Sequence, residues 1–407
     1  MEMYVPDKSG CIVSVKKSKL VYPKRAFGDQ ASPDSEAGHS QDSHQVPRPH
    51  DRMSRKAKRQ ARRLVTQSYW AQEQAHEQVE SEEVSFAQRM ELLSRYGDFS
   101  IAYSTAVQPL LKYVGDASGY LAYRKRWGMS FALGDIVASE ANQDRLLDDF
   151  LKSHRRVSFC QISRPLAQRL ADRGFLINEM GVDTTLDLAE YTLAGKQKEW
   201  LRYASNWIAK RNYRIVESSF DEIKPSQVEF VSEAWRVTRT VKRKEVRFLN
   251  RPIVLQEEAD VRKFFLLSES GELQAFVFLD PIYHNGTIIG YVTVFKRRLP
   301  AAPQYAEQAI MKHVIETLKN EGVPQLKLGL SPLAEIEDSE FQHNRFTRWA
   351  FQRVFETRWI NRKFYNVVGH AEYKKRFRGK SEKVYFASPA KFNTPRMLAL
   401  IGLCGIA

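Results

Sequence analysis

Three stretches of this sequence gather side chains that could do chemistry, two of them basic enough to handle a phosphate-rich substrate. In "RTVKRKEVRFLNRP", Arg239, Lys242, Arg243, Lys244, Arg247 and Arg251 surround Glu245, with Phe248 and Leu249 between them. Basic groups at this density suit contacts to phosphate oxygens. Phe248 and Leu249 are expected to anchor the segment, and Glu245 could receive an amine. A solvated surface loop is the other reading of the same charges. In "INRKFYNVVGHAEYKKRFRG", Lys374, Lys375, Arg376 and Arg378 form a basic strip. Tyr365 or Tyr373 could donate a hydrogen bond to developing negative charge. His370, beside Gly369, is a candidate general base, although no carboxylate stands at a spacing that would orient it. Phe364 and Tyr365 could be stacking surfaces, but aromatics at this spacing before a glycine are more often core.

The third stretch, "LKLGLSPLAEIED", begins as a buried strand and ends in acids. Gly329 would let another group approach closely, and Ser331 could cap the turn and contribute a donor. Glu335, Glu337 and Asp338 are expected near the first turn of a following helix, where exposed N–H groups favour negative charge. Capping explains them cheaply, and a catalytic role for one of them stays open. Upstream, "KRRLPAAPQYAEQAI" offers Lys296, Arg297 and Arg298 to a phosphate through side chains. It holds no glycine, so the backbone is not expected to wrap a pyrophosphate.

The elements that must position these residues follow a repeated order. From about residue 86, "SGYLAYRKRWGMSFALGD" reads as two strands joined by a basic turn, "NQDRLLDDFLKSHR" as an amphipathic helix, and "RVSFCQI" as a strand. The helix "PLAQRLADRG" and a strand near "TTLDLAEY" follow, and "KEWLRYASNWIAKRNYRIVE" is expected to close the first unit. The second unit repeats the grammar. A helix at "PSQVEFVSEAWRVTR" precedes the strands "RKFFLLSE", "ELQAFVFLDP" and "TIIGYVTVFKR". Then come a helix over "PQYAEQAIMKHVIETLKNEG", the strand "PQLKLGLSP", a helix after His343 and the strand "EKVYFA". This order predicts an α+β fold with mixed sheets: two tandem GNAT-like acyltransferase domains, over 86–215 and 216–390. The second is expected to be catalytic. The strand holding Gly329 would lie centrally, where such sheets splay and admit the acyl donor.

A chain of 407 residues can hold two cored domains at roughly 150 residues each. Its net charge of +15 points to an anionic partner such as nucleic acid or a membrane face. Residues 1–85 read as a flexible extension. Within it "QASPDSEAGHSQDSHQVPRPHD" is expected to be disordered, and a helix-friendly block carries Arg52, Arg55, Lys56, Lys58, Arg59, Arg62 and Arg63. The three cysteines are far apart and imply neither disulfides nor a zinc site, which suits the cytosol. No run is apolar for long enough to span a bilayer, and the start lacks a secretory core. The tail 391–407 ends in "MLALIGLCGIA", expected to dock on the body but too interrupted by glycine for a stable helix. Nothing resembles HExxH or a close cysteine and histidine set, so no metal is expected.

Together "LAYRKRWGMSFALGD", "TTLDLAEYTLAGKQKEWLRYASN", "LKLGLSPLAEIED" and "KFYNVVGHAEYKKRF" resemble the soluble C-terminal domain of phosphatidylglycerol lysyltransferases over approximately 90–390. The resemblance implies tandem GNAT-like domains, no bound cofactor, and aminoacyl-tRNA as co-substrate. The aminoacyl group would pass to a hydroxyl of an anionic lipid at the inner face of the cell membrane. It also implies that the opening from Gly329 to Leu333 receives the amino acid and the tRNA terminus, with Lys374 and Lys375 as candidates for phosphate contact. The required chemistry is attack of a hydroxyl or amine on an activated ester, for which positioning and electrostatics supply much of the acceleration. Glu245, Asp338 and His370 are candidate bases. Two departures stand out: this chain has no integral-membrane region, and "KRKEVRFLNRP" differs from the corresponding segment of the lipid enzymes. An acyl-coenzyme A or acyl-carrier N-acyltransferase is the alternative, and a non-catalytic RNA- or membrane-binding protein the third. Oligomeric state is not legible.

Overall fold

The computed structural model describes residues 2–6, 12–16, 84–238, 247–337, 339–357, 366–389 and 393–405. The chain divides into two compact units, Met1–Arg63 and Leu64–Ala407. In the first, β1 (Glu2–Pro6) and β2 (Ile12–Lys16) pair as an antiparallel hairpin. The basic block 52–63 lies outside the described residues.

The second unit opens with α1 (Phe86–Tyr96), started by a capping box between Ser85 and Gln88, and α2 (Ala102–Val107). Then come β3 (Lys112–Asp116), β4 (Gly119–Arg126), β5 (Met129–Leu133), the short β6 (Val137–Ala138), α3 (Glu140–Ser153), β7 (Val157–Ile162), α4 (Arg164–Ala171) and β8 (Leu176–Asp187). The second half runs α5 (Glu199–Ala209), β9 (Arg214–Glu217), α6 (Pro225–Thr238), β10 (Arg262–Leu267), β11 (Leu273–His284), β12 (Thr287–Arg298), α7 (Ala306–Asn320) and β13 (Gln325–Pro332). It closes with α8 (Arg345–Glu356), α9 (Val367–Lys375), β14 (Lys380–Ser388) and α10 (Thr394–Leu403). Helix α5 packs against α7 and β9 pairs with β10, so "KEWLRYASNWIAKRNYRIVE" stands with the second half.

In each half, antiparallel strands lead through a helix to a parallel partner: β5 to β7 across α3, and β12 to β13 across α7. That is the GNAT-like arrangement, present twice. The halves share one 12-stranded mixed sheet in the order β3-β4-β5-β7-β14-β8-β13-β12-β11-β10-β9, with β6 on β4. The closing strands are exchanged. Strand β8 of the first half pairs with β13 of the second, and β14 of the second pairs with β7 of the first. Parting the halves would expose the ladders of β7 and β13, edges that invite aggregation.

Helices cover this sheet because their apolar residues recur at helical spacing. On α7, Ile310, Val314 and Leu318 are wholly buried against Val277, Leu279, Leu326 and Leu328. Each such side chain contributes roughly 1.5–3 kcal/mol. Over the first half, Leu146, Leu147 and Phe150 of α3 and Leu166 and Leu170 of α4 pack with Phe159 and Tyr385. The tail departs from expectation: it docks, but as the helix α10. Pro395 opens it, Ala399, Leu400 and Leu403 enter the core, and Gly402 lies where a Cβ would meet Arg126.

Candidate functional site

Parallel pairing of β12 with β13 runs through Gly290↔Gln325, Tyr291↔Leu326 and Val292↔Lys327 and then stops. On the other side of β13 the pairing with β8 shifts register between Lys327 and Leu330. Leu328 and Gly329 therefore lie outside both ladders, and their carbonyls need other partners. Thr293 Oγ1 donates to Leu328 O at 3.0 Å. Lys374 Nζ donates to Gly329 O at 2.7 Å and to Leu330 O at 2.8 Å. Gly329 is favoured locally by its left-handed φ of +74°, since a Cβ there would make only ordinary contacts, 3.4 Å from Thr293 O and 3.8 Å from Lys374 Nζ.

Lys374 reaches this opening from the last turn of α9. Asn366 starts that helix by accepting from Gly369 N at 2.9 Å, and a Cβ on Gly369 would collide with the Asn366 amide. The Lys374 side chain is buried, and burial followed by the charge of Lys296 lowers its pKa from 10.5 to about 7, against the pull of Asp183 and Glu307. Lys296 Nζ lies 3.3 Å from Thr293 Oγ1 and 5.6 Å from the Tyr373 ring centroid, and burial lowers its pKa too. Tyr373, packed edge-on against Phe377 and Trp200, is held protonated by burial and by Glu307. Asp183 is buried on β8; Ser100 donates to its Oδ2, while its Oδ1 has no hydrogen-bond partner among the described residues.

This arrangement can act on an acyl group. An ammonium has three donors, and two are spent on carbonyls. What remains is one N–H, or a lone pair once the amine is neutral, at a strand opening. A lysine with a pKa near 7 can take or give a proton at neutral pH.

The first half has the corresponding opening, and it is filled. Pairing of β5 with β7 ends at Leu133↔Cys160, and Gln161 takes a left-handed φ of +56°. Its side chain donates to Leu249 O at 2.6 Å, and Gln108 donates to Phe248 O at 3.2 Å. Phe248 is 1% exposed, packed with Tyr113 and Cys160. Phe248 and Leu249 thus anchor their segment, as their apolar character implied.

The other sequence candidates are scattered. Glu245, Arg243, Asp338 and Tyr365 lie outside the described residues. Arg247 donates its backbone N–H to Cys404 O at 3.0 Å. Arg251 is not presented to a phosphate: its guanidinium is fully buried, bound to Asp280 at 2.7 Å and Glu258 at 2.9 Å. Arg297 is buried too, 5.1 Å from the Trp235 ring centroid. Ser331 is buried in β13, where Gly181 of β8 admits its carbonyl. His370 lies one turn before Lys374 on α9, the spacing at which side chains share a helix face. The basic strip is broken: Lys374 turns inward, while Lys375, Arg376 and Arg378 are exposed. Nor do Glu335 and Glu337 begin a helix. Glu335 sits in a turn at φ +54°, Glu337 N donates to Glu179, and α8 is capped instead by Asn344, which accepts from Thr347 N at 2.9 Å.

Sequence reasoning passed over Thr293, Asp183 and Ser100, and also Asp135. Burial raises the pKa of Asp135 to about 6, opposed by a hydrogen bond from Ser163 N. No local pattern marks these residues, since β8 and β13 meet only through the strand exchange. A shallow basic concavity of about 590 Å³ lies apart from the opening, lined by Phe341, His343, Arg345 and Arg348 among others.

Known proteins share this fold. The phosphatidylglycerol lysyltransferase of Bacillus subtilis (strain 168) is 24% identical over 280 residues, 67% of this chain and 31% of that protein. That of Staphylococcus aureus (strain MRSA252) is 24% identical over 250 residues, 59% of this chain and 28% of that protein. The chain thus spans less than a third of the length of the curated relatives it matches. Among solved structures, L-PGS from Bacillus licheniformis aligns with a TM-score of 0.67 at 18% identity, covering 80% of this chain and 98% of that one. The C-terminal domain of a candidate lysylphosphatidylglycerol synthetase from Agrobacterium fabrum aligns with a TM-score of 0.63 at 20% identity, covering 78% and 94%. These likenesses show the fold. Residues 90–388 match the model of the phosphatidylglycerol lysyltransferase C-terminal family, and the chain belongs to that family.

Proposed function

We propose that this chain is an aminoacyltransferase. It moves an amino acid from aminoacyl-tRNA to a hydroxyl of a phosphatidylglycerol-like lipid, and the second half's strand opening is its donor site. The observation that carries the reading is Lys374, buried with its Nζ on the carbonyls of Gly329 and Leu330 where β12 and β13 part. The aminoacyl ester enters beside Gly329. Neutral Lys374 accepts the proton of the lipid hydroxyl as that oxygen attacks the ester carbonyl. The new acyl–oxygen bond forms, the bond to the ribose oxygen breaks, and Lys374 returns its proton to that leaving oxygen. Lys296, whose charge is felt at Lys374, favours the negative charge that builds on the carbonyl oxygen. The first half's opening, filled by the Phe248–Leu249 segment, serves as scaffold. The absence of glycine between β12 and α7 favours this donor over acyl-coenzyme A.

The test incubates the full chain with aminoacyl-tRNAs carrying a radiolabelled amino acid and with phosphatidylglycerol in mixed micelles. Label is expected in the solvent-extracted lipid and is expected to be lost when the tRNA is digested with RNase beforehand. Transfer from labelled acetyl-coenzyme A, and none from aminoacyl-tRNA, would replace this reading with the N-acyltransferase one.

A further inference from the structure

Helix α10 is apolar on the side that packs and on the side that does not. Ala399, Leu400 and Leu403 are buried, yet Leu398 is 53% and Ile401 39% exposed. A helix that is apolar all round is normally covered on every side, by protein or by lipid.

The ground beside it is basic and carries another exposed ring. Gly402 brings α10 against the Arg126 guanidinium, since a Cβ there would stand 2.6 Å from Arg126 Nε. The guanidinium carbon lies 5.3 Å from the centroid of Trp127, which is 60% exposed in the turn between β4 and β5. Arg156 stands at the foot of the same hairpin, its carbonyl accepting from Ser130 N at 2.8 Å. Arg396, in the first turn of α10, is held below its ordinary pKa by burial and then by the charge of Arg156. The Nε atoms of Arg126 and Arg396 are shut off from solvent with no hydrogen-bond partner among the described residues. The patch therefore joins exposed aliphatic and indole groups to like charges that crowd one another, and an anion would relieve them.

A nucleic acid would answer the charge but offers no apolar phase for Leu398 and Ile401. A bilayer edge answers both, because aliphatic side chains enter the acyl boundary while tryptophan and arginine stay among the headgroups. At about 1.5 Å per residue this ten-residue helix reaches roughly half the ~30 Å of a hydrocarbon core, so it would lie in the interface plane.

We propose that α10, with Trp127 and the arginines Arg126, Arg156 and Arg396, is a docking surface for an anionic phospholipid bilayer. It rests on the lipid-acceptor reading for its purpose, since a membrane-held acceptor must be met at a surface. Its test needs no turnover.

The full chain is floated with vesicles of phosphatidylcholine mixed with phosphatidylglycerol, and with phosphatidylcholine alone. Leu398→Glu/Ile401→Glu alters exposed positions, and an unchanged thermal midpoint verifies its fold. The expected result is preference for the anionic vesicles and a loss of partitioning of at least about tenfold in the double variant. The basic block 52–63 also attracts anionic lipid, so a second readout isolates this face. Emission quenched by brominated phosphatidylglycerol should fall in Trp127→Phe by the share belonging to Trp127. Binding of the double variant equal to wild type, or vesicle binding with Trp127 unquenched, would overturn the proposal. So would a loss confined to tRNA binding. Transfer to a short-chain phosphatidylglycerol, presented as monomers, separates the two readings. Wild type that docks through this face without transferring refutes only the activity, and transfer with docking indifferent to the face refutes only the surface.

Discussion

Replacing Lys374 by methionine, which is one atom shorter, keeps the unbranched apolar stem and removes the amine. Two carbonyls inside the β12–β13 opening, on Gly329 and Leu330, then lose their donor. A buried acceptor left unsatisfied costs about 1–3 kcal/mol, so the loss alone would be about 2–6 kcal/mol. An opposing effect reduces it. The Lys374 pKa falls from 10.5 to about 7 in the folded chain, so from pH 7 to 10.5 the unfolded state binds the extra proton and stability rises with pH. Below pH 7 both states are protonated, and holding the buried ammonium costs roughly 5 kcal/mol, an upper bound set by the size of that displacement. Near pH 7 the methionine variant should therefore be only modestly less stable than wild type, by about 1–3 kcal/mol. Its stability should also lose the rise between pH 7 and 10. Urea unfolding at several pH values measures both. Activity separates the roles further: kcat should fall about 10²–10⁴-fold. Lys374→Arg, which keeps the charge but cannot accept a proton at neutral pH, should do no better. A methionine variant that keeps the wild-type rate, or an arginine variant that restores it, would refute the proton-transfer role.

Further outcomes follow from the same geometry. The wild-type rate should rise with pH through about 7 as Lys374 loses its proton. In Asp183→Asn, which removes a charge that raises this pKa, the inflection should move to lower pH by on the order of one unit, as read in a pH–rate profile. Gly329→Ala places a Cβ at φ +74°; unfolding should show a loss of roughly 1–2 kcal/mol from backbone strain. Arg251→Met strands Asp280 and Glu258 in the interior. It should destabilise by about 3–5 kcal/mol in denaturant.

Local chemistry explains what the sequence disclosed and what it withheld. Helices and strands were readable because each buries a face whose spacing is set within the segment, as in Ile310, Val314 and Leu318 of α7. Gly329 stood out in the sequence as a glycine within a strand, but the structure explains it by a left-handed backbone and not by close approach, the nearest atom to an added Cβ being 3.4 Å away. Lys374 and Lys375 are neighbours with the same chemistry, and only the packing of α9 against β13 turns one inward. The charge of Arg251 suggested a phosphate, but Glu258 and Asp280, one of them 29 residues away, claim it. The exchange of β8 and β14 is a matter of long-range register, which no periodicity records. Asp183 and Ser100, separated by 83 positions, could not be paired without it.

Where the donor's aminoacyl end rests can be measured with an aminoacyl-adenosine whose ester is replaced by an amide, by following backbone hydrogen exchange as it saturates the protein. Slower exchange is expected at Leu328–Ser331, with no change at Gln161 and Ile162 in the filled opening of the first half. Protection at Gln161 and Ile162, or none at Leu328–Ser331 under saturation, would contradict the assignment of transfer to the second half's opening.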